Sequence, residues 1–525
     1  MDNLLAKIDF DKYTWKSLPS ANGFEGRGRL LAGGELVQDV LNRYNKGFQT
    51  LFFAFYADLT AEHAAAEVIE AGRDAWVKLR YLVPTIAALV TIDDDDSPLL
   101  RYYSTSADGI SAWANQTFTV HQTDVPEIDL DVLRRDLGQL KVPSQHDQET
   151  WMHLVMAKTG MISKLGFLFH THHSPFDGSA VKILANLYLK EFAKALGGVK
   201  VADNLKWGDE ISHLLPAAFN IILPTEPRPI HPDSDERPTF HHPYYAETQK
   251  VVQAFASNAQ IAYNLKPRKG DSGWPRPDTE ALLFSKEESE KLMRKLKGES
   301  TSYTVTHAAH AALVMVNIFD NPPAAEDAAK SVSCEFLVNS RRYLQKPYSD
   351  REGYPGYALS VVPHGFPLTL FLSQTGEPLP LDKPMLVALM RRARDVYNKL
   401  KEMPVAFSFM VPVCDMFASL LKQQATDDRA PENAFRLSHD GPGETFIDHT
   451  FYDTAGHTVL EISKFFTSLN RPDPAPFFRV SSWNGVLELR ADYNSNVIRR
   501  DEVKGYLEKW KEFITLASEI TKDDY

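Results

Sequence analysis

The amino-acid sequence predicts an α/β protein made of two domains. Segments with the pattern of a buried strand are repeatedly followed by amphipathic helices, which is typical of mixed α/β architecture. A proline-rich stretch interrupts this alternation near the middle of the chain. The length of 525 residues exceeds what one hydrophobic core usually fills, and a hydrophobic content of 43% is sufficient for a large core.

The first half contains two strand and helix pairs. The segment TLFFAFYADL, residues 50–59, is rich in aromatic and apolar side chains and predicts a strand. Thr60 stands where a helix N-cap belongs, ahead of a helical pattern over residues 61–82. The segment GFLFHTHH, residues 166–173, predicts a second strand, and residues 179–196 predict the helix that follows it.

A long connection divides the chain. Nine prolines lie from Pro224 to Pro277, among charged runs such as DSDER. We therefore expect an N-terminal domain over residues 1–222, a proline-rich connector over residues 223–279 and a C-terminal domain over residues 280–525.

The second half begins with the same order of elements. The segment ALLF, residues 281–284, predicts a strand, and residues 285–297 predict a helix. Ser285 and Glu288 form an S-x-x-E capping box at the start of this helix. Residues 423–444, QQATDDRAPENAFRLSHDGPGE, are polar and predict a second insertion outside the core.

Composition and charge exclude several classes of protein. The formal charge of -12 is unsuited to binding duplex nucleic acid, which requires a basic face. Cys334 and Cys414 give neither a disulfide framework nor a CxxC metal knuckle, as expected in a reducing compartment. The first residues lack the pattern of a secretory signal, and no apolar run is long enough for a membrane helix. We therefore expect a cytoplasmic protein.

Residues 167–183, FLFHTHHSPFDGSAVKI, place three histidines and an aspartate in an otherwise apolar stretch. In a strand, His170 and His172 point to one face of the sheet and His173 points to the other. We expect the strand to end at His173. The end of a strand is the usual place for chemistry in α/β sheets.

The residues after His173 predict a sharp turn and the start of a helix. Ser174-Pro175-Phe176 forms the turn, and Gly178 opens the helix. Asp177 is then placed to accept hydrogen bonds at the N-cap.

Three interpretations of this stretch are possible. A metal site would use His170, His172 and Asp177, but the sequence offers no obvious fourth ligand. The histidines could also be buried polar residues satisfied by the core. An imidazole titrates near neutral pH, so His173 could instead remove a proton from a hydroxyl without a metal. The residues favour this general base and leave the other two interpretations open.

The sequence also resembles a known superfamily. Residues 172–178, HHSPFDG, resemble the HHxxxDG signature of CoA-dependent acyltransferases, which include plant BAHD acyltransferases, peptide-synthetase condensation domains and fungal acetyltransferases. Three weaker similarities follow in family order: residues 339–341 resemble D-x-R, residues 354–357 resemble YFGN, and residues 480–483 resemble V-T-S-W. The GWG of plant members is replaced by Asn-Ser-Asn at residues 494–496. The chain looks most like the fungal trichothecene 15-O-acetyltransferases.

This resemblance implies two chloramphenicol-acetyltransferase-like α/β domains with an active-site channel at their interface. CoA would enter from one side and the acceptor from the other. Acetyl-CoA is then a co-substrate, and we expect no tightly bound cofactor, no metal, no nucleic-acid partner, no stable membrane insertion and a monomeric chain. The sequence does not assign any residue to CoA.

The resemblance also implies a role for each motif residue. His173, the second histidine of the signature, is the general base, and His172 supports the site structurally. Asp177 turns away from the channel and pairs with an arginine. Arg341 is the expected partner, with Arg342 as the alternative, because only one of the two can face inward.

Three further residues are expected at the active site. Ser481 and Trp483 match positions near the reacting carbonyl, where the hydroxyl or the indole N–H could donate to an oxyanion; the alternative is packing on a core strand. Gly178 is expected to avoid a Cβ where the backbone turns beside His173.

The sequence therefore predicts an O-acetyltransferase that moves an acetyl group from acetyl-CoA to a hydroxyl of a hydrophobic secondary metabolite, C15 of a trichothecene. The alternatives are a condensation-type acyltransferase that uses carrier-bound acyl donors, and an acyltransferase for another alcohol or amine.

Overall fold

The computed structural model describes residues 10–93, 95, 97–124, 127–144, 147–222, 262–266, 268, 275–297, 303–401, 405–424, 436–472, 474–521 and 524. The strands in this part of the chain are β1 Lys16–Ala21, β2 Phe24–Leu30, β3 Thr50–His63, β4 Leu89–Ile92, β5 Pro98–Tyr103, β6 Phe118–Thr123, β7 Thr150–Ala157, β8 Ile162–His172, β9 Ala262–Tyr263, β10 Pro277–Leu283, β11 Ser331–Asn339, β12 Leu359–Pro367, β13 Arg436–Pro442, β14 Thr450–Tyr452, β15 Thr458–Leu469, β16 Phe477–Trp483 and β17 Val486–Asn494. The α-helices in it are α1 Gly34–Tyr44, α2 Ala65–Leu82, α3 Ala107–Thr117, α4 Leu130–Leu137, α5 Gly178–Leu196, α6 Lys286–Leu296, α7 Val305–Asp320, α8 Lys383–Lys401, α9 Val405–Gln424 and α10 Arg500–Leu516.

A six-stranded sheet organises the first core. Its strand order is β14-β15-β3-β8-β7-β6, and all neighbours are antiparallel except β6 and β7. Helices α2 and α5 contribute Trp76 and Tyr188 to the aromatic core that Phe167 and Phe169 of β8 enter from the sheet. Strand β8 is therefore held on both edges, and its C-terminal end is fixed at the residue before His173.

A second core is built from residues of the later part of the chain. Strands β10, β17, β16 and β13 form one sheet, and strands β12, β11 and β9 form another. Phe336 of β11, Phe478 of β16 and Trp510 of α10 are buried in one common cluster. A smaller sheet of order β1-β2-β5-β4 completes the described sheets.

Two strands from the second half of the chain belong to the first sheet. Strand β15 pairs antiparallel with β3 from Leu460 opposite Leu59 to Leu469 opposite Leu51, and β14 pairs with β15. The division at residues 223–279 stays a prediction, because residues 223–261 lie outside the described residues. The first sheet nevertheless extends beyond residues 1–222, because β14 and β15 belong to it. The sequence does not predict this, because strand pairing over a long sequence separation leaves no local pattern.

The predicted helix start at Thr60 is wrong. Strand β3 continues to His63, and α2 begins at Ala65. The Thr60 hydroxyl donates to the carbonyl of Thr458 at 2.7 Å. The Thr60 side chain therefore bonds to the neighbouring strand β15 and does not cap a helix, although its local propensity favoured a cap.

The capping box at Ser285 is confirmed. Glu288 N–H donates to Ser285 Oγ at 3.0 Å, and Ser285 N–H donates to the Glu288 carboxylate at 2.6 Å. These bonds satisfy backbone donors at the start of α6 that the helix itself leaves unpaired.

The predicted polar insertion over residues 423–444 is wrong where the structure describes it, and residues 425–435 lie outside the described residues. Residues 436–442 form β13, a strand parallel to β16 in the second sheet. Its polar residues Arg436, Ser438, His439 and Asp440 line a cavity and are partly buried. The insertion was predicted from polar composition alone. The segment instead pairs with β16, and Asp440 accepts hydrogen bonds from Ser438 and Arg479.

None of the described helices is both long and apolar enough to span a membrane.

Candidate active site

A cavity between the two cores contains the histidine motif. One wall, from the first half of the chain, comes from α1, His173 and the first residues of α5, and a second wall comes from β11, β12, β13 and β16. Apolar residues of α1, α9, β11 and β12 share the lining with charged residues of β13 and β16, which are Arg436, Asp440 and Arg479. The cavity therefore offers both an apolar surface and groups able to handle charge.

His173 lines this cavity, and its hydrogen bonding fixes the tautomer of its ring. Its Nδ1 lies 2.7 Å from the carbonyl oxygen of Phe176. Because a carbonyl oxygen only accepts hydrogen bonds, the proton of the neutral ring sits on Nδ1 and Nε2 carries the lone pair. Burial is the largest cause that lowers the pKa of His173, with the Arg479 charge acting in the same direction and Asp177 opposing it. The imidazole is therefore held in its neutral form.

His172 supports the turn and does not line the cavity. Its Nδ1 accepts the N–H of Ser174 at 2.9 Å, while its Nε2 is 3.8 Å from Asp39 Oδ1. Burial lowers the pKa of His172 to about 3, so its ring is neutral. The Ser174 hydroxyl donates to the carbonyl of Glu35, which fixes the turn against α1.

Asp177 caps α5, as predicted. One carboxylate oxygen accepts the N–H groups of Ser179 and Ala180 at 3.0 and 2.8 Å. These bonds lock the first turn of the helix directly after the His173 turn. The carboxylate is 2% exposed, so it also requires a charge partner.

The expected ion pair between Asp177 and Arg341 is present. Arg341 Nη2 and Nη1 donate to the two carboxylate oxygens at 2.8 and 3.0 Å. Burial would raise the pKa of Asp177, but the Arg341 charge and its hydrogen bonds outweigh burial and hold that pKa below its ordinary value. Arg342, the alternative partner, is exposed.

The segment that resembles YFGN encloses this ion pair. Arg341 Nε donates to the carbonyl of Tyr354 at 2.9 Å, and Nη2 also donates to the carbonyl of Gly356. The N–H of Ala358 donates to Asp177 at 2.8 Å. All groups of the pair are therefore satisfied inside the protein, as a buried charge requires.

The steric reason predicted for Gly178 is wrong. Among the described residues, a Cβ on Gly178 would meet only Asp440 Oδ1, at an ordinary contact distance of 3.9 Å. Gly178 lines the cavity beside His173, so a side chain would occupy cavity space between His173 and Asp440.

The metal interpretation finds no support in the geometry of its residues. His170 is stacked between the rings of Phe52 and Trp151, with centroid distances of 5.1 and 4.5 Å. Asp177 is committed to Arg341. Within the described part of the chain, no three His, Cys, Asp or Glu side chains are grouped to hold a metal ion.

Trp483 does not serve the cavity as an oxyanion donor. Its indole N–H donates to the carbonyl of Ile462 at 3.1 Å, and its ring stacks on His449 with centroids 4.2 Å apart. Ser481 is also absent from the cavity lining. The alternative interpretation, a packing role, therefore applies to Trp483, because its only N–H donor is bonded to a carbonyl of β15.

The cavity contains charged residues that were not identified from the sequence. Arg479 of β16 lines it and bonds to Asp492 and Asp440. Ser438 and Asp440 lie within the segment predicted as an insertion. Arg479 lies two residues before Ser481 on the same strand, but only Arg479 reaches the cavity lining, and the sequence carries no signal that distinguishes the two.

Known proteins share this chain's sequence pattern and fold. The sequence profile of the family described as 15-O-acetyltransferase Tri3 matches residues 56–363. Trichothecene O-acetyltransferase TRI3 of Trichoderma arundinaceum is 22% identical over 545 residues, which covers 98% of the chain and 99% of the relative. Acetyltransferase pigO of Monascus ruber is 28% identical over 158 residues, which covers 30% of the chain and 29% of the relative.

Solved structures confirm the predicted fold class. TRI3 trichothecene 15-O-acetyltransferase from Fusarium sporotrichioides matches with a TM-score of 0.77 at 19% identity, over 97% of this chain and 99% of that one. The condensation domain of the polyketide synthase MokA matches with a TM-score of 0.54 at 12% identity, over 96% and 98% of the two chains. The chain therefore has the two-domain α/β fold that these proteins share.

Replacing Arg341 tests the importance of the buried ion pair. We expect Arg341→Met to lower the free energy of unfolding by about 3 to 5 kcal/mol, because Asp177 remains buried without its countercharge. Urea unfolding followed by circular dichroism measures this change.

Arg342→Met is the matched control, because it removes the adjacent exposed arginine. We expect it to change the free energy of unfolding by less than about 0.5 kcal/mol. Equal losses in the two variants would contradict a special role for Arg341.

Proposed function

Because the chain belongs to the 15-O-acetyltransferase Tri3 family and is an O-acetyltransferase, we propose that it transfers acetyl from acetyl-CoA to a hydroxyl of a hydrophobic sesquiterpenoid. The acceptor position in this proposal is C15 of a trichothecene. The observation that carries it is His173, whose Nδ1 is fixed by Phe176 so that Nε2 is the basic nitrogen at a cavity wall.

The reaction in this proposal is a direct transfer between the two substrates. His173 Nε2 accepts the hydroxyl proton while the hydroxyl oxygen attacks the thioester carbonyl carbon. The tetrahedral oxyanion then collapses, the carbon–sulfur bond breaks, and the CoA thiolate takes the proton from the imidazolium. Acetate ester and CoA are released, and His173 returns to its neutral form.

Asp177 and Arg341 are positioning residues in this mechanism. Asp177 is engaged with Arg341 and three backbone N–H groups, so its carboxylate has no capacity for proton transfer. It fixes the start of α5, and through the adjoining turn it fixes the His173 ring. His172 acts similarly through its bond to Ser174.

The apolar part of the cavity supports a hydrophobic acceptor. Its apolar side chains come from α1, α9, β11 and β12 and are Val37, Leu41, Leu337, Leu359, Val361 and Phe417. Such a wall suits a fused-ring alcohol better than a highly charged acceptor, because burying charge there would be unfavourable. The names of the TRI3 relatives support the trichothecene class.

The remaining parts of the proposal concern donor, cofactors and assembly. We propose acetyl-CoA over a carrier-bound donor because the family is named for acetyl transfer. His173 supplies the proton transfer, so the proposed reaction uses no metal or tightly bound cofactor. We also propose that the enzyme is cytoplasmic, in keeping with its two free cysteines, and monomeric, because a single chain supplies the lining of the cavity.

His173→Gln tests the general base. With acetyl-CoA and a 15-hydroxy trichothecene, we expect acceptor-dependent release of CoA thiol to fall at least 100-fold, because the amide cannot accept the proton effectively. A thiol reagent measures the release, and circular dichroism checks folding.

His457→Gln is the control, because His457 is exposed with 80% of its side chain accessible. It should keep native activity. Full activity of folded His173→Gln would rule out the proposed base, whereas an inactive native protein would reject the proposed donor and acceptor pair.

The acidic limb of the pH profile tests the environment of His173. Burial and the Arg479 charge lower the pKa of His173 from its ordinary value of 6.5, while Asp177 and the Phe176 carbonyl oppose this shift. Protonation removes the lone pair, so kcat/KM should fall on acidification with a midpoint below pH 6.5. Initial rates between pH 4.5 and 9 give this midpoint. A midpoint above 6.5 in folded enzyme would contradict the assignment.

Leu337→Glu tests the acceptor wall. A carboxylate in the apolar lining should reduce kcat/KM for the trichothecene at least tenfold, while the KM for acetyl-CoA changes less than threefold. Leu283→Glu is the control, because Leu283 is 49% exposed outside the cavity. Equal effects on both substrates would place Leu337 away from the acceptor.

A further inference from the structure

Trp483 does not line the cavity and its indole N–H is bonded to Ile462, so the oxyanion of the proposed reaction lacks its expected donor. Such an oxyanion forms on the thioester carbonyl and is usually stabilised by fixed hydrogen-bond donors. A suitable donor has to line the same cavity as His173, be held rigidly, and keep one N–H or O–H bond unused by the protein.

Arg479 meets the first two requirements. It lines the cavity together with His173, and only 6% of its side chain is exposed. Its Nε donates to Asp492 at 3.1 Å, its Nη1 lies 3.5 Å from Asp440 Oδ1, and its Cζ lies 4.6 Å from the centre of the Phe477 ring. Two carboxylates and one aromatic ring therefore fix the guanidinium plane.

Arg479 also keeps an unused donor. Within the described residues, its Nη2 has no hydrogen-bond acceptor, and Nη2 is not among the buried polar atoms that lack a partner. This nitrogen is consequently accessible from the cavity that the side chain lines.

Two other polar groups of the cavity, on Arg436 and Ser438, are already engaged. Arg436 pairs with Glu335 at 3.4 Å. The Ser438 hydroxyl donates to Asp440 Oδ1 at 2.8 Å. Neither group combines tight burial with the unused N–H bonds of Arg479.

We propose that Arg479 is a catalytic residue that donates from Nη2 to the thioester carbonyl oxygen as this oxygen becomes an oxyanion. The proposal rests on the acetyl transfer proposed above and adds the residue that receives its negative charge.

The charges and atoms of this step balance. The acceptor oxygen forms a bond to the carbonyl carbon, its proton moves to His173 Nε2, and the π pair of the carbonyl moves onto oxygen beside Arg479. When the tetrahedral species collapses, that pair re-forms the carbonyl and the CoA thiolate leaves with the carbon–sulfur pair. The proton then passes from His173 to the thiolate, and Arg479 stays protonated throughout.

The position of Arg479 also affects His173. A cation near the ring disfavours imidazolium in the resting enzyme, which keeps His173 ready to accept a proton. During the reaction, the new negative charge on the carbonyl oxygen lies between the two cations and attracts both. The guanidinium therefore opposes protonation only before the oxyanion exists.

Arg479→Met tests this role against a matched arginine. Arg490 is likewise buried, paired with the carboxylates of Glu488 and Asp131, and placed 4.0 Å from the Phe466 ring, but it does not line the cavity. We expect Arg479→Met to lower kcat 100- to 1,000-fold with both KM values changed less than threefold. Folded Arg490→Met should keep its kcat within threefold of native.

The pH profile supplies a readout that a purely structural role would not move. Loss of the Arg479 cation should raise the midpoint of the acidic limb, while Arg490→Met should leave it unchanged. If Arg479→Met does not fold, Arg479→Lys keeps the charge but cannot place Nη2, and it should still lose kcat at least tenfold.

The outcomes separate this proposal from the one on which it rests. A native enzyme that transfers no acetyl group rejects the proposed function, and the role of Arg479 with it. An active native enzyme whose folded Arg479 variants keep kcat within threefold, with an unmoved acidic limb, overturns the role of Arg479 alone.

Discussion

The ion pair between Asp177 and Arg341 is the interaction on which the site depends. Asp177 caps α5 in the first half of the chain, and Arg341 follows β11 in the second half. The same carboxylate also binds the N–H of Ala358, so it joins three segments that are distant in sequence. A buried pair of this kind gains little stability over an apolar substitute, but it is satisfied in only one arrangement. It therefore specifies how the two walls of the cavity meet.

The carboxylate of Asp492, on the strand β17 next to β16, has a comparable role. Asp492 accepts the N–H of Leu469 at 2.9 Å and Arg479 Nε at 3.1 Å, and Arg134 Nη2 lies 3.7 Å from it. Asp492 thus joins α4, β15 and β16 through one buried group.

Local features of the site were predictable from the sequence because they lie close together along the chain. The strand, the turn and the Asp177 cap occupy a dozen residues, and the geometry of a helix start leaves few alternatives. The pairing of Arg341 followed from resemblance to a family. By contrast, the polar sequence around Ser438 gives no sign that it forms a strand of the second sheet, and the Ile462 carbonyl that binds Trp483 comes from β15, which pairs with β3 in the first sheet. Long-range pairing decides both, and one sequence does not display it.

The arrangement of nucleophiles in the cavity favours direct transfer over an acyl-enzyme. An activated serine or cysteine requires a base within hydrogen-bond reach or a lowered pKa. The Ser438 hydroxyl is bonded to Asp440, whose pKa is lowered by Lys182 and Arg479 against the opposing effect of burial, so this carboxylate is a weak base. Burial raises the pKa of the cavity residue Cys414. Neither Ser438 nor Cys414 is therefore an activated nucleophile, which agrees with the proposed direct attack by a hydroxyl of the substrate.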